Sequence, residues 1–177
     1  VLRTPRLSLG PQLEAFEQAF ANYIGTPHAV GVSSGTAGLH LCVRALGIGE
    51  GDEVIVPSFT FIAAANAIRY ERATPVFADI DADSLNLSPA AIERAITPKT
   101  RAIVVVHTFG RPAQIPAILD IARHHHLAII EDACEAIGAE YDHQKVGSFG
   151  DAAVFAFYPN KQITTGEGGM VVTPHTE

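Results

Sequence analysis

Short apolar runs alternate with helical spacings along almost the whole of this chain, and that alternation limits the fold more than any other feature. The candidate strands at 29–32, 53–56, 74–78, 102–106 and 127–130 are apolar at nearly every position, as strands covered on both faces must be. Pro57 closes the second of them, and 102–106 is the most β-branched. Helical spacing fills the gaps. Residues 12–24 place Leu13, Phe16, Phe20 and Ile24 on one face, with Gly25 set to stop the helix. A second helix opens after Ser34-Gly35-Thr36 and keeps Leu39, Val43 and Leu46 in register; residues 60–70 read as a third. Ser88-Pro89 looks like an N-cap followed by proline at the first helical position, opening a helix to Ile96. Ile115, Ile118, Leu119 and Ala122 mark another. After Gly150 the pattern changes to two close strands, 152–157 and 170–173. Repeated strand–helix units predict an α/β fold, a mostly parallel sheet with helices on both faces. Ligands of such sheets bind at the carboxyl ends of the strands, so chemistry is sought there.

At 177 residues, with about 150 per domain as a guide, one soluble domain is expected. A hydrophobic content of 47% is enough for a full core. Twelve Lys and Arg against 19 Asp and Glu give a net charge of −7, which argues against nucleic acid or an anionic membrane as partner. No apolar run approaches the length of a membrane-spanning helix, and Leu2, Arg3, Pro5 and Arg6 do not make a signal peptide. Cys42 and Cys134 lack metal or redox spacing, so they read as reduced thiols of a cytoplasmic protein. Residues 174–177 look like the start of a continuation rather than a tail.

Three strand ends carry possible chemistry. Ser33-Ser34-Gly35-Thr36-Ala37 joins a strand to a helix; small residues and the free N–H groups of a first helical turn suit a phosphate, and an ordinary N-cap turn is the plain alternative. It is neither a Walker sequence nor GxGxxG, and the glycines of 47–51 follow a helix, so they read as a helix stop. Asp132 follows the strand 127–130, where a carboxylate can hold a protonated ring nitrogen or simply cap a loop. A metal is the weaker reading, because Glu131 points the opposite way. Lys161 stands in a Pro/Thr/Gly-rich turn between two apolar strands, as a nucleophilic amine for a carbonyl or as a solvated loop lysine. His124, His125 and His126 end a helix, where cationic side chains suit the macrodipole, so no metal site is assigned. His107 follows its strand close to the crevice and reads as a site residue or, at least as well, as a structural hydrogen-bonding group, and Tyr158 as either lining or packing. A phosphate cradle, a carboxylate for a ring nitrogen and an amine for a Schiff base are together what pyridoxal phosphate requires.

Those elements, with Gly10-Pro11 and the run Gly51-Asp52-Glu53-Val54-Ile55-Val56-Pro57-Ser58-Phe59-Thr60-Phe61, stand in the order in which they occur in a known family. The chain resembles the DegT/DnrJ/StrS family of pyridoxal-phosphate-dependent sugar aminotransferases. The resemblance implies residues 1–177 to be the cofactor-binding large domain of a fold type I, aspartate aminotransferase-like enzyme, with the family's smaller C-terminal domain outside this chain. It implies Lys161 as the Schiff-base lysine and proton carrier, Asp132 as partner of the pyridinium nitrogen, and Gly35, Thr36 and Ala37 as the phosphate segment. Phe61 falls where an aromatic ring stacks on the cofactor. Ala156 stands where many members carry a serine for the phosphate, and Glu135 where many carry His or Gln near the ring hydroxyl. The implied reaction moves an amino group from glutamate to a nucleotide-linked keto sugar, in a cytoplasmic homodimer. A non-catalytic α/β module, a sugar dehydratase and a cyclitol aminotransferase are the alternatives. Lysine rather than histidine at 161 favours transamination over dehydration.

Overall fold

The computed structural model describes residues 9–176; Leu2, Arg3, Pro5 and Arg6, read above for a leader, lie outside them. In chain order the elements are α1 (Pro11–Ile24), β1 (His28–Val32), α2 (Gly35–Ala45), β2 (Glu53–Pro57), α3 (Ala63–Tyr70), β3 (Thr74–Ala78), α4 (Pro89–Ala95), β4 (Thr100–Val106), α5 (Ile115–His125), β5 (Ala128–Asp132), β6 (Glu140–Tyr141), β7 (Gln144–Lys145), β8 (Ala152–Ala156) and β9 (Gly169–Thr173). The main sheet has the order β1-β9-β8-β5-β4-β2-β3. Each neighbouring pair is parallel except those made by β9, which runs against both β8 and β1. The reversal has a direct consequence. A chain that turns straight back from β8 to β9 leaves its connecting loop, residues 157–168, at the carboxyl end of the parallel strands.

Strand alternation distributes the core. Val54, Val56, Ala102, Val104, Ile130 and Val154 meet Leu39, Val43, Ala64 and Ile68 of α2 and α3 on one face. Ile55, Ile103, Val105 and Ile129 meet Ile92, Ile115 and Ile118 of α4 and α5 on the other. Phe20 and Ile24 of α1 pack with Phe155, Phe157 and Met170 towards the β9 end. Neighbours on β5 therefore serve opposite layers: Asp132 shares the α2 side with Ile130, whereas Glu131 shares the α5 side with Ile129.

Several boundaries differ from the pattern reading, each for a physical reason. Helix α1 stops as expected, at Gly25 in the left-handed region (φ 87°) with its N–H on the Ala21 carbonyl. Helix α3 starts at Ala63 rather than 60, because the Ser58 N–H still pairs with the Ala78 carbonyl (2.9 Å) and the chain leaves the sheet late. Strand β5 runs on through Glu131 and Asp132, since both stay paired with β4 and β8 despite their charge. Ser88 precedes α4, but its hydroxyl makes no capping bond, and Ile96 is already extended. The β6–β7 hairpin turns through Asp142 and His143, both at positive φ, without the Asn-Gly or Asp-Gly signal that marks such turns in a sequence.

Candidate active site

Strand ends, a helix start and the β8–β9 loop converge on a cavity of about 790 Å³, a size ordinary for a small-molecule site. Gly35, Thr36, Phe61, Asp132, Glu135, Ala156 and Lys161 all line it. Ala37 does not; its N–H is taken by the Ser34 hydroxyl, 3.1 Å away, in an N-cap bond. The N-cap reading of residues 33–37 is thus observed directly. The N–H groups of Gly35 and Thr36 remain without a partner among the described residues, at the positive end of an 11-residue helix. A β-carbon on Gly35 would lie 2.9 Å from both Ala156 Cβ and Cys134 Sγ, so only glycine brings the helix start this close to the strand ends. Ala156 adds surface there but no donor.

Asp132 is 7% exposed. Its Oδ1 accepts the Cys134 N–H at 3.1 Å, and Oδ2 has no protein donor among the described residues. Burial pushes this carboxyl above its usual range, opposed by the Cys134 hydrogen bonds and by the charge of Lys161. The same burial raises the Cys134 thiol well above its ordinary value, helped by the Asp132 charge. The desolvated acid is primed for a cationic partner.

Lys161 Nζ donates to Glu135 Oε1 at 2.9 Å, and Gln162 Nε2 bonds the Glu135 carbonyl. Glu135 therefore holds both the amine and its loop against the end of β5. The remaining bonds of the loop are internal, among them Lys161 N–H to the Tyr158 carbonyl, and Thr165 N–H and the Thr164 hydroxyl to the Phe157 carbonyl. Tyr158 lines the cavity, half exposed. Phe61 is 75% exposed on the turn before α3, which excludes a place in the core.

His107 borders the cavity, yet both ring nitrogens are engaged in the fold. Nδ1 accepts the Ala113 N–H (3.1 Å), so Nε2 carries the proton and donates to Glu131 Oε2 (3.0 Å). Glu131, fully buried, also accepts the N–H groups of Gly147, Phe149 and Gly150 at 2.7–2.8 Å. The structural reading of His107 is the one its contacts support. His124, His125 and His126 close α5, and no metal-binding cluster occurs among the described residues. Sequence reasoning did not single out Phe59 and Phe109, whose rings meet edge-on at the cavity (centroids 6.2 Å). Both follow strand ends, the position searched, but an apolar side chain gives no chemical signal there.

The mostly parallel seven-stranded sheet with helices on both faces is the fold of the fold type I pyridoxal-phosphate-dependent aminotransferases. Comparison places the chain more narrowly. Residues 1–177 match the model of the DegT/DnrJ/EryC1/StrS aminotransferase family, and the chain belongs to that family. It is 52% identical over 166 residues to a GDP-perosamine synthase of Caulobacter vibrioides, covering 94% of this chain and 45% of the relative. It is also 52% identical over 170 residues to a UDP-N-acetyl-3-dehydro-alpha-D-glucosamine 3-aminotransferase of Acidithiobacillus ferrooxidans, covering 96% and 46%. Among solved structures, S. venezuelae DesV in complex with a ketimine intermediate matches with a TM-score of 0.92 and 49% identity, over 95% of this chain and 46% of that one. The chain spans about half the length of the curated relatives it matches. No helix among the described residues is long and apolar enough to cross a membrane.

Proposed function

We propose that this chain is the pyridoxal-phosphate-binding large domain of an aminotransferase that passes an amino group from glutamate to a nucleotide-linked keto sugar. One observation carries the reading: Lys161, Asp132 and the open start of α2, distant in sequence, line a single cavity. The residues fit the cofactor. The Gly35 and Thr36 N–H groups, with Ser34 and Thr36 beside them, offer donors and a helix dipole to a phosphate. Asp132, buried and with an oxygen to spare, supplies the carboxylate that keeps a pyridine nitrogen protonated. Phe61 offers an exposed ring for one face of the cofactor, and Glu135 stands by the lysine.

When bound, pyridoxal phosphate supplies an aldehyde carbon and a ring that accepts electron density. The protein's part is to hold that group and move a proton. Lys161 is the residue that would hold the cofactor's aldehyde carbon through its amine, and its freed Nζ would take a proton from the donor's α-carbon and return it. Glu135, 2.9 Å from Nζ, keeps the amine at the cavity wall between those events.

Relatives named for GDP and UDP sugars are equally identical to this chain, so the proposal extends to the nucleotide-sugar class and not to one nucleotide. A homodimer and a cytoplasmic location complete the proposal; the two free cysteines accord with a reducing compartment. Borohydride treatment after incubation with pyridoxal phosphate, followed by peptide mass spectrometry, tests it. The adduct is expected on Lys161 and absent from Lys161→Ala. An adduct on another residue, or none, overturns the assignment.

A further inference from the structure

The turn after β4 places a bulky apolar residue where neither its backbone nor its side chain benefits from folding. Phe109 has φ 52° and ψ 30°, a left-handed conformation that aromatic residues seldom adopt. Its side chain is 72% exposed. The conformation is imposed from outside. Asn86, 1% exposed, accepts the Thr108 N–H on Oδ1 (2.9 Å) and donates through Nδ2 to the Arg111 and Pro112 carbonyls (3.0 and 3.2 Å). Within the turn, Gly110 N–H meets the His107 carbonyl and Arg111 N–H the Thr108 carbonyl. A buried amide thus spends its capacity on fixing one turn, and the outcome is a ring held at the cavity mouth, edge-on to the half-exposed Phe59. Strain and exposed apolar surface at one residue point to a ligand rather than to the core.

Position selects which part of the ligand. Phe109 borders both the main cavity and a recess of about 270 Å³ shared with Glu135, Asn160, Lys161 and Gln162. A group packed on its ring therefore lies beside the reacting amine. In a nucleotide-linked keto sugar the atoms nearest the reacting carbonyl are those of the hexose ring, with the nucleoside two phosphates away. Resting on the function proposed above, we infer that Phe109, with Phe59, is a substrate-contacting residue that receives the C–H-rich face of the acceptor sugar.

The test uses Phe109→Gly, which suits the backbone angle, and Phe109→Tyr, which restores the ring, in the full-length protein loaded with pyridoxal phosphate. Calorimetry measures affinity for UDP-N-acetylglucosamine, GDP-mannose and dTDP-glucose as probes. Absorbance follows the glutamate half-reaction, thermal unfolding follows stability, and light scattering follows mass. Expected is an unchanged or raised Tm for Phe109→Gly with about tenfold weaker binding of the tightest probe. That loss is at least five times its effect on the glutamate half-reaction, and Phe109→Tyr binds within threefold of the parent. Unaltered probe affinity overturns the inference, as does an equal loss in the glutamate half-reaction or a fall in mass with affinity intact. If Lys161 is not trapped by borohydride, or no probe binds the parent protein, the proposed function fails and takes the inference with it. Lys161 trapped and affinity unchanged in Phe109→Gly removes the inference alone.

Discussion

Asp132 pairs a destabilising burial with a binding opportunity. Its carboxyl sits above the ordinary range because desolvation outweighs the Cys134 hydrogen bonds and the Lys161 charge. An acid with a folded pKa above its unfolded value binds protons more tightly when folded, so its ionisation opposes folding. The penalty is absent below the unfolded value, near 3.9, and complete above the folded one. Asp132→Asn keeps an acceptor for the Cys134 N–H and removes the charge. In cofactor-free protein the variant is therefore expected to melt higher at pH 7–8, by about 2–4 °C per kcal/mol relieved. The advantage shrinks to nothing as pH falls towards ~4. With pyridoxal phosphate the order reverses, because a protonated ring nitrogen compensates a carboxylate and not an amide. Melting curves across pH, with and without cofactor, give both comparisons. A variant equal to or below the parent throughout the cofactor-free series would refute the account.

The neighbouring Glu131 acts on elements rather than on ligands. Its two oxygens join β5 to the 147–150 turn through three backbone N–H groups, and to the residue after β4 through His107. Glu131→Ala removes the acceptor of all four donors at once, and at a fully buried site no solvent replaces it. A loss of about 3–5 kcal/mol is expected in denaturant unfolding. Glu131→Gln, which keeps one acceptor oxygen, should cost about 2–3 kcal/mol. A loss under ~1 kcal/mol for alanine would show that the turn finds other acceptors. The same residue explains where pattern reading stopped short. Apolar runs make the parallel strands and covering helices legible, but the pattern ends β5 before Glu131, because its compensating donors lie 16 to 19 residues further on and, for His107, 24 residues back. The start of α3 and the β6–β7 hairpin were likewise set by a distant carbonyl and by left-handed residues with no turn motif.

At the scale of the molecule, Lys161, Asp132 and residues 34–36 are legible because each stands at or within a few residues of a strand's carboxyl end, and an α/β sheet gathers such residues at one edge. Phe109 is not, since its exposure depends on Asn86, 23 positions earlier. Closure depends on β9, which ties 169–173 to both β8 and β1 and so encloses α2, whose N-terminus lines the cavity and is the end proposed to hold the phosphate. Cys42 on α2 reports that closure. It is 2% exposed, and burial, followed by the Asp132 charge, pushes its thiol up to about 12. At pH 8 roughly one molecule in 10⁴ carries the thiolate, so native Cys42 is nearly inert to a disulfide reagent. Labelling must then proceed through opening of the helix from the sheet. In a Cys134→Ala background, pyridoxal phosphate at 100 times its Kd stabilises the closed state by about 2.7 kcal/mol. Cys42 labelling is expected to slow by about 100-fold, in step with a rise in Tm. Fast labelling that ignores the cofactor would mean that α2 opens by itself. The phosphate end of the site would then be separable from the fold that presents Lys161 and Asp132.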